Sequence, residues 1–376
     1  MPNPSHIVIA CSYLHVPGGY EKAMISTANL FAEKKHRVTL LILDHTAETY
    51  YPVHPGIKII HSPMNFGITE KGNTISRKIK MWQDVRRLKA LLKELRPDHL
   101  ICSEYHFAVG AILAGAKKIS RVYSWEHHHY HAQHLNRFWQ YFQKRTYKKL
   151  DAVICLNADE KRYYRKLNDN TVVIPNFIAQ PGSTTRAAKR FDLLSVTRFN
   201  PIKGIDLLMG VAKTVLKRND HLRWKVIGYG EQKEIFLDFI NKEGLVDRLI
   251  YQPADKVDIT GDYQESSLFV MTSRNECFPL VLLEAMNHAV PCIAFDCDTG
   301  PRHIIINNET GLLIEKENVE RMAASILSLV DDRLKLENMS KRSLQAVVSY
   351  YPDKVYALWK ALFSKDDLSI ELGDRR

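Results

Sequence analysis

The sequence predicts an α/β fold of two parallel-sheet domains, and three observations carry that prediction. Short apolar runs alternate with helical patterns almost from end to end, as in chains of βαβ units. A polar, turn-rich stretch without apolar period, Ala179-Gln180-Pro181-Gly182 through Arg190, divides those runs into two sets. The 376 residues, 45% hydrophobic and 25% charged, suffice for two domains that each bury a core. Domains are therefore expected over 1–178 and 191–349, with 179–190 as the linker.

In the first set the strand candidates are Ile7–Ala10, Val38–Ile42, His99–Cys102, Arg121–Trp125, Ala152–Cys155 and Val172–Ile174. In the second they are Leu193–Val196, Trp224–Ile227, Leu249–Tyr251, Leu268–Met271 and Pro291–Phe295. Each is an apolar run of strand length, and most gaps between them carry helical periodicity.

No apolar run approaches a bilayer span, and Met1-Pro2-Asn3-Pro4-Ser5 has neither a basic nor a long apolar leader, so the chain is read as cytoplasmic. Six scattered cysteines form no C-x-x-C pair, which reads as reduced buried thiols and offers neither a zinc ribbon nor a redox motif. The net charge of +11 implies an anionic partner, leaving nucleic acid, a membrane surface and phosphorylated substrates open.

Arg274-Asn275-Glu276-Cys277-Phe278-Pro279-Leu280 leads from the strand run Leu268–Met271 toward Glu284. Pro279 suits the first turn of a helix, which puts Glu276 in the loop after a strand and Glu284 about two turns into the helix. In an open parallel sheet such a loop faces the ligand crevice, and a helix start offers N–H groups to phosphates. A nucleotide-sugar has that layout, although an ordinary loop acid followed by a solvated helix acid has the same spacing. Arg198 and Lys203 share one loop after another strand and are placed to clamp a diphosphate. Gly18-Gly19 stands at a strand-to-helix turn, where glycine lets the backbone approach a ligand. A G-x-G-x-x-G fingerprint is absent there, which counts against a dinucleotide dehydrogenase.

Taken in order, these segments resemble the retaining GT-B glycosyltransferases of family GT4 (glycosyltransferase group 1). The resemblance covers essentially the whole chain and is strongest from Val196 to Leu313. It rests on Gly18-Gly19-Tyr20-Glu21, Arg198 with Lys203-Gly204, Gly228-Tyr229-Gly230, Glu276-x7-Glu284, Gly300-Pro301 and an Asn308-x-x-Gly311-Leu312-Leu313 hairpin. It implies two Rossmann-like domains facing across a cleft, with a C-terminal helix over 350–370 packing back on the first. It further implies that Glu276 holds the donor hexose, assisted by the backbone of the run Cys277, Phe278, Pro279 and Leu280, in which every residue but the proline offers an N–H. Glu284 would hold the ribose, Arg198 and Lys203 the diphosphate, and Gly18, Gly19 and Gly228 would line the donor.

Trp125-Glu126-His127-His128-His129-Tyr130-His131 is the most unusual composition in the chain. His127 and His131 stand at i, i+4, a zinc spacing if the segment is helical, but a loop is expected after this strand. The resemblance places His127 at the donor's hexose, and His129 and His134 are read as surface residues. Ser76 to Lys93 combines helical apolar spacing with many cations, which fits a packed helix with a solvated basic face or a contact with anionic lipid.

The expected activity is therefore a metal-independent, retaining hexosyl transfer, with Glu276, His127, Arg198 and Lys203 as catalytic residues. The donor is a UDP-sugar and the acceptor a glycan or lipid-linked glycan of bacterial surface polysaccharide (lipopolysaccharide, O-antigen or capsule). No metal or other cofactor is expected. The enzyme is placed peripherally on the inner face of the cytoplasmic membrane, against its anionic surface, with no nucleic-acid partner. A non-hydrolysing UDP-sugar epimerase, and more remotely a basic nucleic-acid-binding protein, are the alternatives.

Overall fold

The computed structural model describes residues 4–46, 48–68, 74–133, 135–181 and 190–364. It contains two compact units, one built from the described residues up to Pro175 together with those from Tyr356 on, the other from Asn176–Val355. Most of the expected linker (182–189), the end of the expected C-terminal helix (365–370) and His134 lie outside the described residues.

Unit 1 carries seven parallel strands, β1 (His6–Cys11), β2 (Arg37–Ile42), β3 (Lys58–His61), β4 (His99–Cys102), β5 (Arg121–Glu126), β6 (Ala152–Cys155) and β7 (Thr171–Val173), in the order β3-β2-β1-β4-β5-β6-β7. Its helices are α1 (Gly19–Glu33), α2 (Thr74–Leu95), α3 (Tyr105–Leu113), α4 (Arg137–Tyr147) and α5 (Ala158–Tyr164). The chain steps from β1 to β2 and β3 on one side and then crosses back to β4, so the strand order reverses between β1 and β4. Met81, Val85, Leu88, Leu92 and Leu95 of α2 are buried against the sheet. Strand β3 has no counterpart in the sequence expectation. It is an edge strand with only Ile60 half-buried, too exposed to write an apolar run.

Unit 2 repeats the plan with β8 (Phe191–Arg198), β9 (Trp224–Tyr229), β10 (Leu249–Pro253), β11 (Ser266–Met271), β12 (Cys292–Asp296) and β13 (Gly311–Glu315), all parallel in the order β10-β9-β8-β11-β12-β13. Its helices are α6 (Ile205–Arg218), α7 (Lys233–Lys242), α8 (Thr260–Gln264), α9 (Leu280–Asn287), α10 (Val319–Asp331) and α11 (Arg333–Val347). Here the order reverses between β8 and β11. The segment expected as a hairpin, Asn308 to Leu313, is instead a turn with Asn308 at φ 64° followed by a parallel edge strand, Cys292 of β12 pairing Gly311 and Phe295 pairing Ile314. A hairpin would return antiparallel, and the short 3₁₀ segment Pro301–His303 carries the chain back so that β13 runs with β12.

The last described helix, α12 (Pro352–Ser364), completes unit 1 from Tyr356 on. Trp359 is 1% exposed, with its ring edge-on to Phe31 at 5.3 Å and to Trp125 at 5.2 Å, and Phe363 stacks on His99 at 4.1 Å. Where the chain enters and leaves unit 2, Ile178 N–H donates to Tyr350 O at 3.0 Å. Asn287, at the end of α9, donates to Ala179 O (2.9 Å) and accepts from Tyr351 OH (3.2 Å), so one side chain fastens both passages to α9.

Candidate functional site

In unit 2 the functional candidates gather at the β8/β11 reversal, the position where open parallel sheets bind ligands beyond their strand ends. Arg198 ends β8, and its Nε donates to Tyr229 OH (3.1 Å) at the end of β9, with the guanidinium 5.5 Å from the Tyr229 ring centre. Lys203 closes the following 3₁₀ turn, which Asn200 caps by accepting from Lys203 N–H (3.0 Å). Gly204 follows at φ 66°, where a Cβ would stand 2.2 Å from Thr272 O; only glycine lets this loop press on the one after β11. The two loops meet through charge, with Lys203 Nζ 2.6 Å from Glu276 Oε1. Ser273 Oγ donates to the same oxygen (2.7 Å), and Thr299 Oγ1 donates to Glu276 O (2.6 Å). Gly300, at φ 74°, leaves room for that carbonyl, which a Cβ would approach to 2.7 Å.

Helix α9 begins at Leu280, with Pro279 in extended conformation at its N-cap. Two expectations change accordingly. Pro279 precedes the first turn rather than sitting in it, and Glu284 lies about one turn into the helix, not two. The buried Glu284 accepts from Tyr263 OH at 2.7 Å, and Tyr263 is stacked on His288. Cys277, Phe278 and Leu280 turn their side chains into the core, so what this segment presents is backbone. Gly228 lies inside β9, and the turn expected there falls at Gly230, φ 141°.

In unit 1, Gly18 is the N-cap of α1 and Gly19 its first residue, with open space where a Cβ would be. The residue after them, Tyr20, meets His127 ring edge to ring face at 5.4 Å. His127 leaves the end of β5 between Tyr20 and Trp125, and burial drives its pKa well below the usual imidazole value, so it is neutral. His129 is not a surface residue. It is 6% exposed, and its Nδ1 sits 2.5 Å from Glu160 Oε1 while Tyr130 N–H donates to Oε2 (2.9 Å), so the Glu160 carboxylate ties the loop down. A short 3₁₀ turn, Tyr130–Ala132, replaces the helix that a His127/His131 zinc pair requires, and no group of three metal-binding side chains occurs among the described residues.

Sequence reasoning missed the supporting residues Tyr229, Tyr263, Ser273 and Thr299. Ser273 alone carries a local signal, a hydroxyl three residues before Glu276. The others reach their partners across 21 or more residues, which no local pattern records.

The model of the family "Glycosyl transferases group 1" matches residues 177–345, and that of "Glycosyltransferase Family 4" matches residues 17–179. The chain belongs to these glycosyltransferases. This glycosyltransferase is 26% identical over 364 residues to the amylovoran biosynthesis glycosyltransferase AmsD of Erwinia amylovora, covering 92% of this chain and 96% of the relative. It is 26% identical over 264 residues to the lipopolysaccharide 1,6-galactosyltransferase of Salmonella typhimurium, covering 66% and 69%. Among solved structures, a mutant of TarM from S. aureus in complex with fondaparinux, alpha-GlcNAc-glycerol and UDP superposes with a TM-score of 0.77 at 16% identity, over 96% of this chain and 99% of that one. The fold of the glycosyltransferase is thus GT-B, two Rossmann-like units of seven and six parallel strands.

Proposed function

We propose that this glycosyltransferase is a metal-independent, retaining hexosyltransferase that takes a UDP-sugar and extends a bacterial surface glycan on a lipid-linked or membrane-near acceptor. The observation that carries the reading is the Lys203–Glu276 contact of 2.6 Å at the β8/β11 reversal, beside Arg198 and the start of α9. It sets a cation for the diphosphate against the carboxylate assigned to the hexose. A glycan-building relative and a UDP-bound structural neighbour support the class of donor and acceptor.

In this reading Arg198 and Lys203 stabilise the negative charge that develops as nucleoside diphosphate departs. The α9 N-terminus adds its positive dipole end. Glu276 fixes the hexose hydroxyls once Lys203 turns to the diphosphate, and Glu284 the ribose. The neutral His127 serves the sugar end as a hydrogen-bonding group without adding charge. No side chain acts as covalent nucleophile. A donor phosphate oxygen takes the acceptor's proton on the face from which the diphosphate leaves, so the protein supplies position and charge. Thermal shift and UDP release across a panel of nucleotide-sugars test this, because a ligand that binds only the folded state raises its apparent stability. A shift with no UDP-sugar, or consumption of UDP-GlcNAc without acceptor as an epimerase would give, overturns it.

The membrane contact is proposed for α2 and α4, which flank α3. Helix α2 exposes Ile75 (68%), Ile79 (55%) and Trp82 (47%) among Arg77, Lys78, Arg86 and Lys89, and α4 exposes Phe138 and Tyr141 near Lys144 and Arg145. Apolar side chains interleaved with cations suit an anionic bilayer surface better than water. Vesicles containing phosphatidylglycerol are expected to bind the protein at low salt and lose it as salt rises, since screening acts over about 10 Å at 0.1 M. Equal partition onto neutral and anionic vesicles overturns the contact.

A further inference from the structure

Arg274 stands two residues before Glu276 and carries a charge that the donor reading does not use. Its backbone N–H donates to Ile202 O at 2.8 Å, and its guanidinium reaches across to the loop after β8. There Nη1 donates to Pro201 O (2.9 Å) and to Asp206 Oδ1 (2.7 Å), while Nη2 donates to Asp206 Oδ2 (2.6 Å), a two-pronged hold on the start of α6. Nε faces Glu317 Oε1 at 3.4 Å, just ahead of α10. One side chain thus spans the loops after β8, β11 and β13. Because its fork is filled by the protein's own acceptors, Arg274 does not stand as a third cation for a diphosphate.

Stability alone gives little reason for this arrangement. The Asp206 side chain is 53% exposed and that of Arg274 29%, and ion pairs so open to water add little to a fold. Hydrogen bonding from Arg274 holds the Asp206 carboxyl below the usual carboxylate range, so the pair stays charged at neutral pH. Glu317 stands at φ 61°, so the backbone bears a local strain at the residue that meets Arg274. Placement is the better reason. Next to the strands the two charged loops touch through Thr272 Oγ1, which donates to Gly204 O at 3.1 Å. Farther out they are joined by the Lys203–Glu276 contact, which opens when both side chains turn to a donor.

We propose that Arg274 is a positioning residue: clasped on Asp206 and Pro201, it keeps the loops of Lys203 and Glu276 in register once the donor has parted those two side chains. This deepens the hexosyltransferase reading and rests on it. In the free protein the direct contact and the clasp act side by side, and in the loaded enzyme the clasp acts without it. Its effect should therefore fall on the geometry of transfer, where small misplacements are costly, more than on binding of the nucleotide.

Lys203→Met provides a test without ligand, since it opens the direct contact and leaves Arg274 in place. Hydrogen exchange of the amides over 199–206 and 272–279 should stay near the parent rate in Lys203→Met and speed up about 10-fold when Arg274→Gln is added. Alone, Arg274→Gln is expected to lower kcat for UDP release from a panel of UDP-sugars by about 10-fold or more, while calorimetric UDP affinity and Tm move little. Arg274→Lys, which keeps the charge without the fork, should recover only part of kcat, and Asp206→Asn should reproduce part of the loss from the other side of the clasp. Unchanged kcat in both Arg274→Gln and Asp206→Asn, or a kcat loss that only follows a fall in Tm, overturns the proposal. So does exchange that the double variant leaves unchanged, or UDP affinity that falls as deeply as kcat, which would make Arg274 a diphosphate ligand. A parent that binds no UDP or turns over no UDP-sugar fails the donor reading instead, and the exchange comparison then decides the clasp by itself.

Discussion

Arg198→Ala is expected to slow sugar transfer by about 100-fold or more with the fold intact, the loss typical of removing one preorganised group that stabilises transition-state charge. Arg198 ends β8, and its contacts with Tyr229 hold the guanidinium plane, so the fork costs little to organise when a diphosphate arrives. It is only partly buried, and its removal opens no large cavity. Thermal unfolding of the free variant should therefore match the parent. Arg198→Lys should recover only part of the rate, because a point charge lacks the bidentate geometry. With Arg198 and Lys203 supplying the charge, turnover should persist in excess EDTA. Abolition that Mg²⁺ or Mn²⁺ restores would overturn the assignment of both residues.

The two glutamates should fail in different ways. Glu284→Ala is expected to weaken UDP and UDP-sugar alike, whereas Glu276→Ala should spare UDP and harm use of the sugar. A lost hydrogen bond to a charged group costs about 1.5–3 kcal/mol, on the order of 10- to 150-fold in the affected parameter. Their surroundings bear on the choice of variant. Glu284→Ala also strands the hydroxyl of Tyr263, which is 2% exposed, so Glu284→Gln is the safer companion and Tyr263→Phe the control. Glu276→Ala releases Lys203 from its 2.6 Å contact, which leaves UDP binding unharmed or improved. Calorimetry with UDP and turnover with the same donor separate the cases. Equal loss of UDP affinity in both variants would sink the division of roles.

What the sequence made legible follows from where its information is local. Buried central strands such as Ile7–Ala10 and Leu268–Met271 write themselves as apolar runs, and the loops after β8 and β11 carry their charges within a few residues of those runs. The Lys203–Glu276 contact itself spans 73 residues, and the sequence reading placed the two only in equivalent strand-end loops without bringing them together. Edge strands were less legible. In β3 only Ile59 and Ile60 are apolar, and Ile59 is 41% exposed, so a single apolar pair had to stand for a strand. The histidine block misled for the opposite reason, because its composition is conspicuous while the group that decides His129's place, Glu160, lies 31 residues on. No local pattern marks Glu104, which precedes Tyr105 at the start of α3. Its partner Ser12 is 92 residues away, and nothing near either residue announces the pair.

The return of the chain to unit 1 at Tyr356 sets an order of assembly on the ribosome. The surface formed by Phe31, His99 and Trp125 is covered by Trp359 and Phe363, yet these are synthesised only after the whole of Asn176–Val355. At about 5–20 residues per second the delay is on the order of 10 s or more, during which the nascent first unit shows an aromatic face to chaperones and to its neighbours. Unit 2 has no such debt, since its two ends are already joined by Ile178 with Tyr350 and by the fork of Asn287. A chain released before Tyr356 would thus keep a folded second unit together with an unfinished and aggregation-prone first one, and the yield of active enzyme should be set by the last helix rather than by the larger cores that precede it.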